Sequence, residues 1–398
     1  MSTLNAGRLE RLKCAETEFM AGRFTRAGEL FTELAETESQ DIRIRLRRGQ
    51  LALFENRLDD AIEALRPCAE CAVPAAQLLA ETYYRARRFP EAAQWYARFG
   101  QYDIAAHLLA FGQREPCHVR SGPVDTVVEF LTREPLPLVR VQINGLEEAL
   151  FVFDTGTWDT VVDAGLARRI GLPRGRQDQV GCADGRNAHI EYSRLDCLGI
   201  GAQEIADVPV QVMDLDHALA GFFEPHGIDG VLGLNVLSRF GVTLDMPAGQ
   251  LRLTRNSLQT NNATTPCWLG SGRQLLVWGE INRRPNLWFL DTGMTGFDCL
   301  LPASTAMEAA LDPDPAQTAT GYGGAGQLTL ATAGIATLQV DDVRKTPASG
   351  VITPEFPLER RYGFRIGGLL AFEFFKHTVL SIDFAAMRLA VRAASSPA

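Results

Sequence analysis

An internal repeat governs roughly the last two-thirds of this 398-residue chain. The tripeptide Asp-Thr-Gly occurs at Asp154-Thr155-Gly156 and again at Asp291-Thr292-Gly293. Each follows an apolar, strand-like run, Ala149-Leu150-Phe151-Val152-Phe153 and Leu287-Trp288-Phe289-Leu290. Landmarks on either side keep step. Ile143-Asn144-Gly145 precedes the first Asp by 11 positions, and Ile281-Asn282 precedes the second by 10. Downstream, Ile228-Asp229-Gly230-Val231-Leu232-Gly233 sets Gly230 76 positions after Asp154. Ile366-Gly367-Gly368-Leu369-Leu370-Ala371 sets Gly368 77 positions after Asp291. In both copies a strand-like run ends on Asp 15 positions later, at Asp245 and Asp383. Such a chain is constrained to build two copies of one unit. Two carboxylates at matching places point to a pair that shares a proton and activates water.

From Leu138 onward the texture is short alternating strands bounded by Gly, Asn and Pro, the pattern of sandwiches and barrels. Residues 138–255 and 273–393 read as the two β units. The Asn- and Thr-rich stretch within 256–272 reads as their connector, and 116–137 reads as a linker with an entry strand. A chain this long exceeds what one core usually holds. The net charge of −9 and pI near 5.3 exclude a basic field for gathering phosphates, so no nucleic-acid partner is expected. No apolar run approaches the ~20 residues that span a bilayer, and Met1–Ala6 lacks the basic and apolar regions of a signal peptide. The expected location is cytoplasmic, with no membrane partner. The eight cysteines then read as reduced thiols. Cys68 and Cys71 are spaced Cys-x-x-Cys, but no second pair or His cluster completes a metal site.

Residues 1–115 are different. Ala21-Gly22-Arg23-Phe24-Thr25-Arg26-Ala27, Glu55-Asn56-Arg57-Leu58-Asp59-Asp60-Ala61 and Ala86-Arg87-Arg88-Phe89-Pro90-Glu91-Ala92 align as three copies of one turn. Phe24 to Leu58 is 34 positions and Leu58 to Phe89 is 31, the period of stacked helix-turn-helix units. Gly22 or Asn56 can take the left-handed conformation at a helix end, and Pro90 falls where a helix starts. The segments resemble tetratricopeptide repeats, with 102–112 as a capping helix. That resemblance implies a groove for a peptide or partner protein; a plain packing module is the alternative.

The β units, 138–253 and about 273–392, each resemble a subunit of the retropepsin-type aspartic proteases. The shared order is strand, Asp-Thr-Gly, flap hairpin, then two apolar residues and Gly leading into a short helix. Two such units in one chain resemble a fused, bilobal version of the homodimer, as in pepsin-like enzymes. The expected fold is therefore an all-α repeat domain followed by an all-β bilobal protease, active as an intrachain pseudo-dimer on a peptide or protein substrate. The resemblance makes Asp154 and Asp291 the catalytic pair, with no metal or other cofactor required. Thr155 and Thr292 would cross-link the two loops, while Gly156 and Gly293 would let backbone N–H groups reach the carboxylates. Thr157 would add a donor; Met294 at the matching place has none, and Thr295 is the nearest substitute.

The flaps are expected around Asp184 and Gly185 in the first unit, and around Tyr322, Gly323 and Gly324 in the second. The Gly-rich run 321–326 also fits a dinucleotide fingerprint, but a strand rather than a helix is expected after it. Ala371 stands where the family pattern has Gly; its methyl either crowds the loop or is absorbed by a shift. Asp245 and Asp383 read as turn-forming or ion-paired residues, and Asp159 and Asp298 as surface or helix-start carboxylates. A competing reading is a non-catalytic adaptor that uses the same cleft and repeats to hold a peptide.

Overall fold

The computed structural model describes residues 2–181, 186–219, 221–258, 264–323, 326–354, 356 and 363–393. By compactness the chain separates into two units. One contains Met1–Gly112 with two short pieces from later in the chain, Leu269–Gly272 and the described part of Leu358–Ile366. The other contains the remaining β-rich chain.

The first unit is built on helices α1 (Ser2–Met20), α2 (Phe24–Thr37), α3 (Ile42–Phe54), α4 (Leu58–Ala69), α5 (Val73–Arg85), α6 (Phe89–Arg98) and α7 (Tyr102–Leu109). The three aligned sequence turns join α1 to α2, α3 to α4 and α5 to α6, and they have one geometry. A left-handed residue, Gly22 (φ 74°), Asn56 (φ 56°) or Arg87 (φ 59°), ends the leading helix. The next N–H reaches back five residues to a carbonyl, Arg23 to Glu18, Arg57 to Ala52 and Arg88 to Tyr83, each at 2.9 Å. These bonds satisfy helix-end carbonyls that would otherwise lack donors. The following helix then opens on Phe24, Leu58 or Phe89. Ala27, Ala61 and Ala92 are fully buried. No described helix is long and apolar enough to cross a membrane.

The β-rich unit begins inside the stretch read as a linker. It contributes β1 (His118–Ser121) and β2 (Asp125–Glu129), followed by β3 (Leu138–Ile143), β4 (Glu147–Phe153), β5 (Thr160–Asp163), α8 (Ala164–Arg169), β6 (Gln177–Gly181), β7 (Asn187–Ile200) and β8 (Gln203–Met213). Then come α9 (Leu215–Ala218), β9 (Gly230–Leu232), α10 (Leu234–Leu237), β10 (Gly241–Asp245) and β11 (Gln250–Thr254). One sheet runs β1-β8-β5-β9-β4-β3-β7-β6, and a further pairing of β7 with β8 closes six of these strands into a barrel.

The rest of the chain repeats this order. It comprises β12 (Thr265–Leu269), β13 (Leu275–Ile281), β14 (Arg284–Asp291), β15 (Cys299–Pro302), α11 (Ala303–Glu308), β16 (Asp314–Gly323) and β17 (Gly326–Ile335). It continues through β18 (Leu338–Val340), β19 (Val343–Lys345), β20 (Ala348–Thr353), β21 (Gly368–Ala371), α12 (Phe372–Phe375), β22 (Thr378–Asp383) and β23 (Arg388–Ala393). The strand before each Asp-Thr-Gly pairs in parallel with the strand carrying the two-apolar motif, β4 with β9 and β14 with β21. The strand after it pairs in parallel with β8 or β20.

A six-strand stretch, β2-β11-β10-β22-β23-β12, joins the two sets of strands. At its centre β10 and β22 run antiparallel with Thr243 opposite Ser381, their hydroxyls 3.0 Å apart. Asp245 and Asp383 sit at the ends of these strands and accept turn N–H groups, from Ala248 and from Ala385 and Ala386. Both are turn-forming residues. Asp125–Glu129 alternates in burial, with Thr126 and Val128 inside, and β2 ends this sheet beside β11.

Candidate active site

The apolar runs before the two tripeptides are buried strands. Phe151, Val152 and Phe153 at the end of β4, and Trp288, Phe289 and Leu290 in β14, are each no more than 2 % exposed. They deliver Asp154 and Asp291 to one place. The loops beyond them are stitched together by reciprocal bonds. The Thr155 N–H donates to the Thr292 hydroxyl (3.0 Å) and the Thr292 N–H to the Thr155 hydroxyl (3.2 Å). Each hydroxyl then donates across to the opposite strand, Thr155 to the Leu290 carbonyl (3.0 Å) and Thr292 to the Phe153 carbonyl (3.3 Å). Both threonines are fully buried. Losing one hydroxyl would leave a buried N–H and a buried carbonyl unsatisfied, at about 1–3 kcal/mol for each.

The glycines face the opposite carboxyl. A Cβ placed on Gly156 would lie 2.5 Å from the Asp291 carboxyl carbon, and one on Gly293 would lie 2.4 Å from that of Asp154. Absence of a side chain is therefore what permits the approach. The Gly156 N–H donates to Asp154 (2.7 Å) and the Gly293 N–H to Asp291 (3.1 Å). Each carboxyl is thus packed against the glycine of the other loop, which brings Asp154 and Asp291 together.

Burial raises the pKa of both acids, and their shared environment splits them. Asp291 is pushed well above the ordinary carboxylate range by burial and then by the charge of Asp154, against the N–H groups of Gly293 and Met294. Asp154 is raised by burial but drawn back by the Thr157 hydroxyl and the N–H groups of Gly156 and Gly293. Two carboxyls in contact cannot both ionise cheaply. The donors favour the charge on Asp154 and the proton on Asp291. Thr157→Val removes one donor from the ionised form, which is worth about 1.5–3 kcal/mol. Protonation of Asp154 then begins at higher pH, so the acid limb of kcat/KM moves upward. On that limb the variant is expected to lose about tenfold or more, read from a pH–rate profile.

The two loops are unequal in ways that correct the sequence reading. Thr295 does not stand in for Thr157: its hydroxyl donates to Glu373 at 2.7 Å. The Met294 N–H serves Asp291 instead. Asp159 and Asp298 are not surface carboxylates; they are 7 % and 2 % exposed. Asp159 accepts from the Gln211 amide (3.0 Å) and pairs with Arg273 (3.4 Å), whose guanidinium also lies over the Trp158 ring. Asp298 pairs with Lys345 (2.5 Å) and accepts from the Ser349 N–H and hydroxyl. A buried charge survives only when paired and hydrogen-bonded, and the partners come from distant strands.

Ala371 is absorbed rather than crowded. Gly233 (φ −89°, ψ 169°) and Ala371 (φ −90°, ψ 170°) share one conformation. A Cβ on Gly233 would meet the Trp158 carbonyl at 2.4 Å. Register explains the difference, since Val231 opposes Val161 whereas Leu369 opposes Leu300. The first loop thus spans 7 positions from Asp154 and the second 9 from Asp291. The extra length passes through Gly296 (φ 103°) and swings past Thr320 and Gly321 of β16. Ala371→Gly is expected to leave activity within about threefold. Gly233→Ala, which forces backbone against backbone, is expected to lower thermal stability by about 1–3 kcal/mol; calorimetry of both variants checks the contrast.

Of the flap residues, Tyr322 and Gly323 end β16, with Tyr322 opposite Gln327 and Gly323 opposite Gly326. β16 and β17 pair antiparallel up to Gly323 and from Gly326, so a strand, not a helix, comes after the Gly-rich run. Asp184, Gly185 and Gly324 lie outside the described residues. Tyr322 exchanges backbone hydrogen bonds with Thr295 of the second Asp-Thr-Gly loop, both 3.2 Å. Its ring stacks on Phe222 at 4.2 Å. Arg186, beyond the first flap position, donates to the Gly326 carbonyl at 3.3 Å. Sequence reasoning missed Phe222 and Arg273. Phe222 lies between α9 and β9 in a stretch with no repeat partner, and Arg273 finds Asp159 across 114 positions.

Residues 139–236 match the aspartyl protease family. The match covers Asp154, its loop and the Gly233 turn, and it ends before the second Asp-Thr-Gly. No curated protein matches the chain.

Proposed function

We propose that the chain is an aspartic endopeptidase whose site is composed by Asp154 and Asp291 from two retropepsin-like lobes fused in one polypeptide. The observation that carries this reading is the buried carboxyl pair on two loops crossed by threonines, each carboxyl packed against the other loop's glycine, because it fits shared-proton activation of water. Ionised Asp154 takes a proton from a water held between the carboxyls. Protonated Asp291 polarises the scissile carbonyl. Attack gives a gem-diol as Asp291 passes its proton to the carbonyl oxygen; the gem-diol collapses as the proton taken up by Asp154 passes to the leaving nitrogen and one gem-diol hydroxyl returns a proton to Asp291. In this reading no covalent intermediate is required.

Tyr322 borders the second Asp-Thr-Gly loop and stacks on Phe222, and both are assigned to the substrate-facing wall. In this reading helices α1–α6 form three tetratricopeptide-like repeats capped by α7, and their groove recruits a substrate or partner from the cytoplasm. A peptide library incubated with the whole chain across pH 4–8 tests the activity. Endoproteolytic products that vanish with a statine-type inhibitor, a mimic of the gem-diol, are the expected result. Tight peptide binding without turnover at any pH would replace the enzyme with an adaptor.

A further inference from the structure

The two Asp-Thr-Gly loops are anchored from the same place in the repeat but at different points, all within the β-rich unit. Asn235 and Glu373 hold that place, each two positions after the turn residue Gly233 or Ala371. In the first copy the Asn235 side-chain oxygen accepts from the Thr160 N–H (3.1 Å) and hydroxyl (2.8 Å). Its amide donates to the Pro209 carbonyl (2.9 Å). Thr160 is six positions past Asp154. In the second copy the side chain is an acid, and it takes hold nearer the site. Glu373 accepts from the Thr295 hydroxyl at 2.7 Å, four positions past Asp291.

The second loop is the longer, and closing a longer loop costs more entropy. The start of α12 offsets that cost with fixed points. The Phe372 N–H donates to the Met294 carbonyl (2.7 Å) and the Ala371 N–H to the Asp298 carbonyl (2.9 Å). Lys345 of β19 ties the far end, donating to the Asp298 carboxylate (2.5 Å) and to the Glu373 carbonyl (3.1 Å). Between these points stands Thr295, only 3 % exposed. Its backbone is paired with Tyr322 and its hydroxyl with Glu373. A buried hydroxyl left without its acceptor is destabilising, so loss of the Glu373 carboxylate favours rearrangement of the loop at this point. The residue before Thr295 is Met294, whose N–H serves Asp291.

Glu373 is itself held on both oxygens. One accepts from Thr295, and the other faces the Lys376 ammonium at 3.5 Å. Lys376 also pairs with Glu134 at 2.8 Å. These cations, with Lys345 at the Glu373 carbonyl, fix the acid over the loop. Asp291 in turn faces the charge of Asp154.

We infer that Glu373 is a positioning residue for the second half of the site. Through the Thr295 hydroxyl it holds the Asp291 loop, and with it the Met294 N–H, in place against the Asp291 carboxyl. The kinetic arm of the test rests on the endopeptidase reading; the titration arm does not.

The test uses the full chain as wild type, Glu373→Ala, Glu373→Gln, Thr295→Val and the double variant Glu373→Ala with Thr295→Val. Carboxyl titration is followed by NMR with labelled aspartate, and kcat is measured across pH on one cleaved peptide. Withdrawing the Met294 donor from ionised Asp291 makes that carboxyl keep its proton to higher pH. Glu373→Ala is therefore expected to raise the upper titration of the pair, and the basic limb of kcat, by about one pH unit. It should also lower kcat about tenfold or more. Glu373→Gln keeps an oxygen for Thr295 and should return both readings to near wild type. Thr295→Val should reproduce the loss, and the double variant should be no worse than either single change. If Glu373→Ala does not fold, Thr295→Val against Glu373→Gln decides. The inference is overturned if Glu373→Ala or Thr295→Val melts lower while the titration and the basic limb stay at wild-type values, or if their losses add in the double variant. Wild type that cleaves nothing while the upper titration moves as described would sink the endopeptidase reading alone.

Discussion

Asp154→Asn and Asp291→Asn are each expected to abolish peptide cleavage, with kcat falling by at least about 10³-fold. Asn at 154 cannot accept the proton of the attacking water. Asn at 291 keeps a donor to its neighbour but cannot hand a proton to the carbonyl oxygen as the gem-diol forms. Turnover of a library-derived peptide, measured at matched concentrations of folded protein, reads the loss. The stability of the Asp291 variant moves in the opposite direction. Folded Asp291 keeps its proton to a pH well above the ordinary carboxylate range, because of burial and the neighbouring charge. An unfolded Asp releases its proton near about 3.9. Folding therefore takes up a proton between those limits, and stability falls as pH rises through them. Asp291→Asn removes that dependence. It is expected to melt higher than wild type at pH 7, with the gap closing below about pH 4. Calorimetric melting curves across pH 3–8 check the sign.

Gly293→Ala and Gly156→Ala should be nearly as damaging, for a steric reason. The new methyl carbons would stand 2.4 Å and 2.5 Å from the opposite carboxyl carbons, where nonbonded carbons prefer about 3.5–4.0 Å. Relief requires the carboxyl or the crossed loop to retreat by about 1 Å, and a misplacement of that size costs about 10²-fold in rate. Buried threonine cross-links on both sides resist the retreat, so destabilisation of about 1–3 kcal/mol is also expected. Steady-state kinetics together with melting curves measures both parts. Near wild-type turnover in either variant would mean that the loops do not cross as closely as the structure places them.

The helix starts at Phe24, Leu58 and Phe89 were legible because a turn leaves local marks: a residue tolerant of positive φ, then an apolar plug, then Ala. The repeated landmarks at equal spacing made the resemblance to retropepsin-type proteases legible, and the crossing of the two Asp-Thr-Gly loops was what that resemblance implied. Features that depend on residues far apart in the chain escaped. Asp159 and Asp298 look like solvent-facing acids until Arg273, just before β13, and Lys345 of β19 arrive from far along the chain to compensate them. Phe222 lies outside the repeated landmarks, so nothing in the spacing assigned it a neighbour. Ala371 read as a departure from pattern. The compensation is two extra positions in the loop from Asp291 to Leu300, 71 to 80 positions earlier, visible only once strand register is known.

A carboxyl titration by NMR with labelled aspartate, on wild type and on Asp291→Asn, tests the shared proton most directly. The expected result is that one carboxyl of the pair stays protonated far above the ordinary carboxylate range, and that this late titration disappears in Asp291→Asn. Two independent titrations near about 4, unchanged by the substitution, would contradict the shared-proton pair.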